Sequence, residues 1–135
     1  MSLMDWNKSL DIGVEAMNND HKVLLKYMNE LYDLYDAKAD FAAQKVVLDK
    51  LKDATILHFQ DEEKYMEKIC FEGIDMHKIV HINLLAKFTE HYQDFISRHS
   101  FNEGFFQFLK LWLSAHIVGI DLKYAEFSRQ AKKAS

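Results

Sequence analysis

Two short patterns in this chain carry the residue types of metal chemistry. His58 and Glu62 form an HxxxE pair within "HFQDEEKYM", and His77 and His81 form an HxxxH pair within "IDMHKIVHINLLAKF". Four residues advance a helix by about 400°, leaving such side chains about 40° apart and about 6 Å along the axis. That geometry suits two groups binding one ion or bridging two neighbours. All four sit among Ile, Leu, Met and Phe, on faces that read as core. A buried imidazole must find a partner, and a dry, unpaired carboxylate costs roughly several kcal/mol.

The elements that position them follow from apolar spacings of three and four, the helical signature. One segment runs through His21, Leu24, Leu25, Met28, Leu31, Tyr32 and Tyr35, and a second through Leu48, Leu51, Thr55, His58, Glu62, Tyr65, Met66 and Ile69. A third carries His77, His81, Leu84, Phe88, His91 and Phe95, and a fourth Phe105, Leu109, Trp112, Leu113 and His116. Short turns are expected at "DAKAD" (36–40), "CFEGID" (70–75) and "RHSFNEG" (98–104), the last two with glycine. With no proline and only four glycines, the chain reads as all-α. Long amphipathic helices on short connections predict an up-down-up-down antiparallel four-helix bundle. An extended N-terminal arm precedes it and a short C-terminal helix follows.

Antiparallel hairpins bring together residues equally far from a turn. His21 and His58 are so placed about the first turn, His58 and His81, with Glu62 and His77, about the second, and His81 and His116 about the third. These side chains therefore share one level of the bundle. In "HIVGID", Asp121 follows His116 by five positions, about 140° off on an ideal helix. Gly119 lies between them, and local unwinding there is predicted to turn Asp121 inward.

Five imidazoles and two carboxylates in one layer, with no Lys or Arg on the inner faces, point to two divalent metal ions. By ligand softness iron, zinc, copper and manganese all remain open. Thiolate ligation is excluded, because Cys70 is the single cysteine. The chain has neither the ExxH pairs of ferritin-like di-iron enzymes nor the HExxH helix of a metalloprotease. Several neighbours read as ordinary structure. His91 and His99 suit the end of the third helix, where cationic histidine complements the dipole. Cys70 is an inert turn thiol. "FFQFLKLWL" (105–113) is core, with Gln107, Lys110 and Ser114 as its solvent stripe. Glu63 lies about 100° from Glu62 and faces away.

The 135 residues suffice for one domain with a real core, and 49% hydrophobic with 28% charged residues is a globular composition. A net charge of −4 with both signs interspersed argues against nucleic acid. The start lacks the basic head and apolar run of a signal peptide, and no apolar run approaches the roughly 20 residues that span a bilayer. The expectation is a soluble, cytoplasmic protein without membrane insertion, a monomer rather than an oligomer.

"MDWNKSLDIGVEAMNNDHKVL", "HFQDEEKYM", "HKIVH" and "WLSAHIVGID", in this order and spacing, resemble the bacterial hemerythrins, of the hemerythrin and myohemerythrin family, over nearly the whole chain. The resemblance implies a single di-iron domain over residues 1–135. It implies that His77, His81 and His116 bind one iron, His21 and His58 the other, and that Glu62 and Asp121 bridge them. The cofactor is then a pair of Fe2+/Fe3+ ions with an oxo or hydroxo bridge. Leu24, Phe59, Trp112, Leu113 and Ile117 would line a dry pocket over the iron with an open position. The implied function is reversible dioxygen binding for storage, transport or delivery, with no catalytic residues. An oxygen-consuming enzyme or a signalling protein could be the partner. A stand-alone oxygen or redox sensor is the alternative, and a peroxide- or nitric-oxide-handling enzyme ranks below it. This chain departs from the family pattern just before His21, where "MNNDH" replaces an IDxQH-like sequence. That departure bears on helix capping or on hydrogen bonding behind the ligands.

Overall fold

The computed structural model describes residues 3–134, with side chains through Gln130. Its helices are α1 (Glu15–Asp36), α2 (Phe41–Lys68), α3 (Ile74–Arg98), α4 (Glu103–Ala115) and α5 (Leu122–Ala134). They build the expected up-down-up-down bundle. The C-terminal helix is no separate piece: a π turn, His116–Asp121, joins α4 to α5 in one rod. Ser135 lies outside the described residues.

Local chemistry explains where the helices start and stop. Asp40 caps α2, its carboxylate accepting from Ala43 N at 2.8 Å, and Asn102 caps α4 by accepting from Phe105 N at 3.0 Å. The chain reverses through left-handed residues that are not glycines: Lys38, Cys70 and His99 have φ of 56°, 57° and 58°. The glycines that signalled two of the turns do other work, since Gly73 is the N-cap of α3 with φ −82° and Gly104 lies inside α4.

The N-terminal arm is tied down by side-chain amides. Asn29 brackets Met4, accepting from its N at 3.0 Å and donating to its O at 2.8 Å. Asn18 accepts from Ile12 N at 3.1 Å, and Arg129 Nη1 donates to Ile12 O at 3.2 Å. Leu10 and Ile12 are thereby buried in the core. Gly13 makes this possible: its φ is +81°, and a Cβ there would lie 2.8 Å from Arg129 Nη1.

One end of the bundle is an aromatic cluster. Phe101 stacks on Phe95 at 4.0 Å and on Phe105 at 5.0 Å, and Phe41 stacks on Phe95 at 4.9 Å. The two histidines expected near the end of the third helix also join this packing. His99 is the C-cap of α3 and stacks on Phe41 at 4.2 Å. His91 stacks on Phe108 at 5.1 Å, and burial, then Lys87 nearby, push its imidazole below the ordinary value. The segment 105–113 is core as expected, except that Leu111 joins its solvent face. The rod Glu103–Gln130 is long and apolar enough to cross a membrane by length and composition, although no unbroken apolar run is. Its inner side packs into the bundle through Phe105, Leu109, Trp112 and Ile117.

Candidate metal centre

Three helices and the π turn send polar side chains to one buried layer. His21 comes from α1, His58 and Glu62 from α2, His77 and His81 from α3, and His116 and Asp121 from the π turn. All seven are at most 6% exposed. A π turn closes i→i+5 hydrogen bonds, so residues five apart share a face. That is how His116 and Asp121 both point inward. Gly119 is not sterically required for it, since a Cβ there would meet nothing within 4 Å.

The imidazoles all present Nε2 to carboxylate oxygens. His58 and His81 stand 3.1 and 3.2 Å from Glu62 Oε1, with His116 at 3.8 Å. Asp121 Oδ1 lies 2.9 Å from His116 and 3.1 Å from His77, and Oδ2 lies 3.1 Å from His21. Yet none of the five Nε2 atoms, nor Glu62 Oε1, nor either Asp121 oxygen, has a hydrogen-bond partner. The atoms are close but not aligned for donation, and buried polar atoms rarely go unpaired. Two donors bound at right angles to one ion, each about 2.1 Å from it, sit about 3 Å apart. The layer fits a cation set between its donors better than it fits a hydrogen-bond network. The donor atoms form two clusters sharing Glu62: one with His77, His81 and His116, the other with His21, His58 and Asp121. Imidazole with carboxylate suits first-row transition ions.

The electrostatics of the layer call for positive charge beside its carboxylates. Burial drives the His58 ring toward neutrality, but Glu62 and Asp20 overcome it and carry its pKa up to about 10. Burial likewise opposes the charge on His116, and Asp121 with Glu62 raises it to about 9. Burial disfavours the Glu62 charge, yet His58, His116 and His81 hold its pKa well below the ordinary value. Asp121 is also lowered: burial and Glu62 act against its charge, and the proximity of the His116, His21 and His77 rings prevails. Two dry carboxylates require positive charge; protonated His58 and His116 supply it or bound cations do, since among the described residues no Lys or Arg is buried.

Three groups behind this layer escaped the sequence reading as partners. Asp20 Oδ2 accepts from His58 Nδ1 at 2.9 Å, so the departure beside His21 acts on His58. Glu63, facing away from the centre as expected, brings Oε2 to 3.6 Å from His81 Nδ1. Tyr124, at 0% exposure, donates its hydroxyl to Glu62 Oε2 at 2.7 Å. A carboxylate next to one histidine was a readable hint for Asp20. Tyr124 could be found only by counting helical phase through the π turn.

The five candidate pocket residues are all buried. Phe59 lies flat on His81 at 3.9 Å and meets Trp112 edge-on at 5.9 Å. Both line an apolar crevice, with Thr55, Leu84, Phe88 and Phe108, too tight to admit a water molecule. Leu24, Leu113 and Ile117 do not line that crevice.

Residues 12–127 match the family model described as the hemerythrin HHE cation binding domain. A bacteriohemerythrin of Stenotrophomonas maltophilia (strain R551-3) is 29% identical over 126 residues, 93% of this chain and 82% of the relative. A hemerythrin-like protein of Naegleria gruberi is 32% identical over 123 residues, 91% of this chain and 92% of that one. Among solved structures, a hemerythrin carrying a leucine-to-alanine substitution superposes with a TM-score of 0.86 at 26% identity, covering 94% of this chain and 98% of the other.

Proposed function

The chain belongs to the hemerythrin family, and from that premise we propose that it binds dioxygen reversibly at a pair of iron ions. In this reading residues 1–135 act as one domain. His77, His81 and His116 hold one iron, His21 and His58 hold the other, and Glu62 and Asp121 bridge the pair. When bound, the iron pair supplies two electrons and an open coordination position for dioxygen. The observation that carries the reading is the layer of inward Nε2 and carboxylate atoms at 2.9–3.8 Å without hydrogen-bond alignment.

The protein's own part is to hold, neutralise and keep dry. Two carboxylates offset half the charge of two divalent ions, which lowers the cost of burying them. Asp20 fixes the tautomer of His58 through Nδ1 and strengthens Nε2 as a donor. Phe59, flat on His81, and Trp112 beside it shield the layer from water. Leu24, Leu113 and Ile117 complete the apolar surround. Exclusion of water and protons favours release of dioxygen unchanged over its loss in reduced form.

A binding role suits the site better than turnover. The Tyr124 phenol bears a proton against Glu62, and burial, then the Glu62 charge, push its pKa far above the ordinary value. Its hydroxyl is committed to Glu62 Oε2 at 2.7 Å, so it is no free acid or base beside the centre. Storage or delivery of dioxygen in the cytoplasm, to an oxygen-consuming enzyme, is the role we assign, with the chain acting as a monomer. The test is cycling the reduced protein between air and vacuum. A visible band that comes and goes over many cycles supports reversible binding. A colourless protein holding zinc contradicts it.

A further inference from the structure

The two carboxylates of the layer keep unequal company. Asp121 faces imidazoles with both oxygens, His77 and His116 at Oδ1 and His21 at Oδ2. Glu62 faces imidazoles with Oε1 alone, while Oε2 accepts the hydroxyl of Tyr124 at 2.7 Å. The phenol is fixed from every side. Its ring is 0% exposed and lies 5.6 Å from the rings of both His77 and Tyr65 and 6.5 Å from Phe71. Tyr65 is anchored in turn, donating to Ser128 Oγ at 2.9 Å. Tyr124 follows Asp121 by three positions, just beyond the π turn. The insertion that swings Asp121 inward therefore also sets the phase of Tyr124, and one backbone irregularity delivers both groups.

We infer that Tyr124 is a positioning residue of the metal centre: its hydroxyl orients Glu62 and withdraws electron density from the carboxylate through Oε2. This rests on the iron reading above. A hydrogen bond to an ionised carboxylate is among the stronger kinds. It competes with a cation for the same lone-pair density, so the carboxylate becomes a weaker donor. A weaker anionic donor disfavours the more highly charged oxidation state. The bond therefore raises the reduction potential of the pair, and its loss lowers it.

Tyr124→Phe keeps the ring and its contacts and deletes the donor. Tyr65→Phe is the control, since it touches the same ring but not Glu62. Both are loaded with iron, assayed for metal content, titrated for midpoint potential and compared by infrared difference spectra of the carboxylate stretch. Tyr124→Phe is expected to retain the iron pair and to shift the ratio of oxidised to reduced centre about tenfold toward oxidised, a potential lower by about 59 mV per electron. Its carboxylate band moves, and Tyr65→Phe matches the wild type in both readouts. Wild-type potential and band in Tyr124→Phe overturn the inference and leave the iron reading intact. A wild-type protein that takes up no iron pair overturns both. If Tyr124→Phe does not fold, the wild type decides: its Glu62 band shifts when the phenol is deuterated if the bond exists, and an unmoved band refutes it.

Discussion

The bundle has two fully buried regions built on opposite principles. At the turn between α3 and α4, Phe95, Phe101 and Phe105 stack at 4.0 and 5.0 Å, a dry cluster whose groups need only one another. In the layer below, seven polar side chains are as deeply buried, yet most of the atoms they turn inward lack a partner. The aromatic end is held by burial of apolar area and ring contacts. The polar layer needs positive charge beside its two carboxylates. One end of the molecule makes the fold, and the other depends on what it binds.

Substitutions can separate these dependencies. The largest expected effect is that of Glu62→Ala, which removes the carboxylate shared by both donor clusters. Iron analysis should show loss of the pair while circular dichroism keeps the helices. Retention of the pair would show that Glu62 does not bridge. Phe105→Ala, in a side chain 1% exposed, should cost about 3–5 kcal/mol of unfolding free energy by denaturant titration. Its iron content should match the wild type, and loss of iron would mean that the two regions are not separable. Stripping the metal with a chelator should destabilise the protein by roughly 3 kcal/mol, on the order of 10 °C in Tm. Hydrogen exchange should then rise in the amides around the polar layer and not in the aromatic end.

Two smaller effects sharpen the comparison. Leu113→Ala should shorten the lifetime of the coloured, oxygen-loaded protein several-fold in an optical decay assay, and an unchanged decay removes Leu113 from the proposed shield. Gly119→Ala should change stability by no more than about 1 kcal/mol, because open space receives the methyl group. A loss of iron in that variant would mean that the π turn needs the glycine after all.

The layer was legible because hairpin geometry is arithmetic: residues equidistant from a short turn share a level, whatever closes the turn. The inward swing of Asp121 was legible from its five-residue spacing to His116, and the expected unwinding is there as a π turn. The π turn carries it, and Gly119 has no steric role. The turns themselves were legible in place but not in mechanism. Glycine is the usual left-handed residue, yet here Lys38, Cys70 and His99 take that conformation. His91 was misread because helix position suggested a charge, whereas its neighbour across the bundle is the Phe108 ring. Tyr124 and Asp20 stayed hidden for a common reason. Each reaches the layer through a hydrogen bond to a residue on another helix, and no periodicity within its own segment records it.

The central claim is that the buried layer is built around two cations. Anomalous diffraction at the iron edge, from crystals of protein purified after growth in iron-replete medium, tests it most directly. The expected result is a pair of peaks sharing Glu62 and Asp121, one flanked by His77, His81 and His116 and the other by His21 and His58. A map without a peak in that layer, the imidazoles instead turned to hydrogen-bond the carboxylates or ordered water, would contradict it.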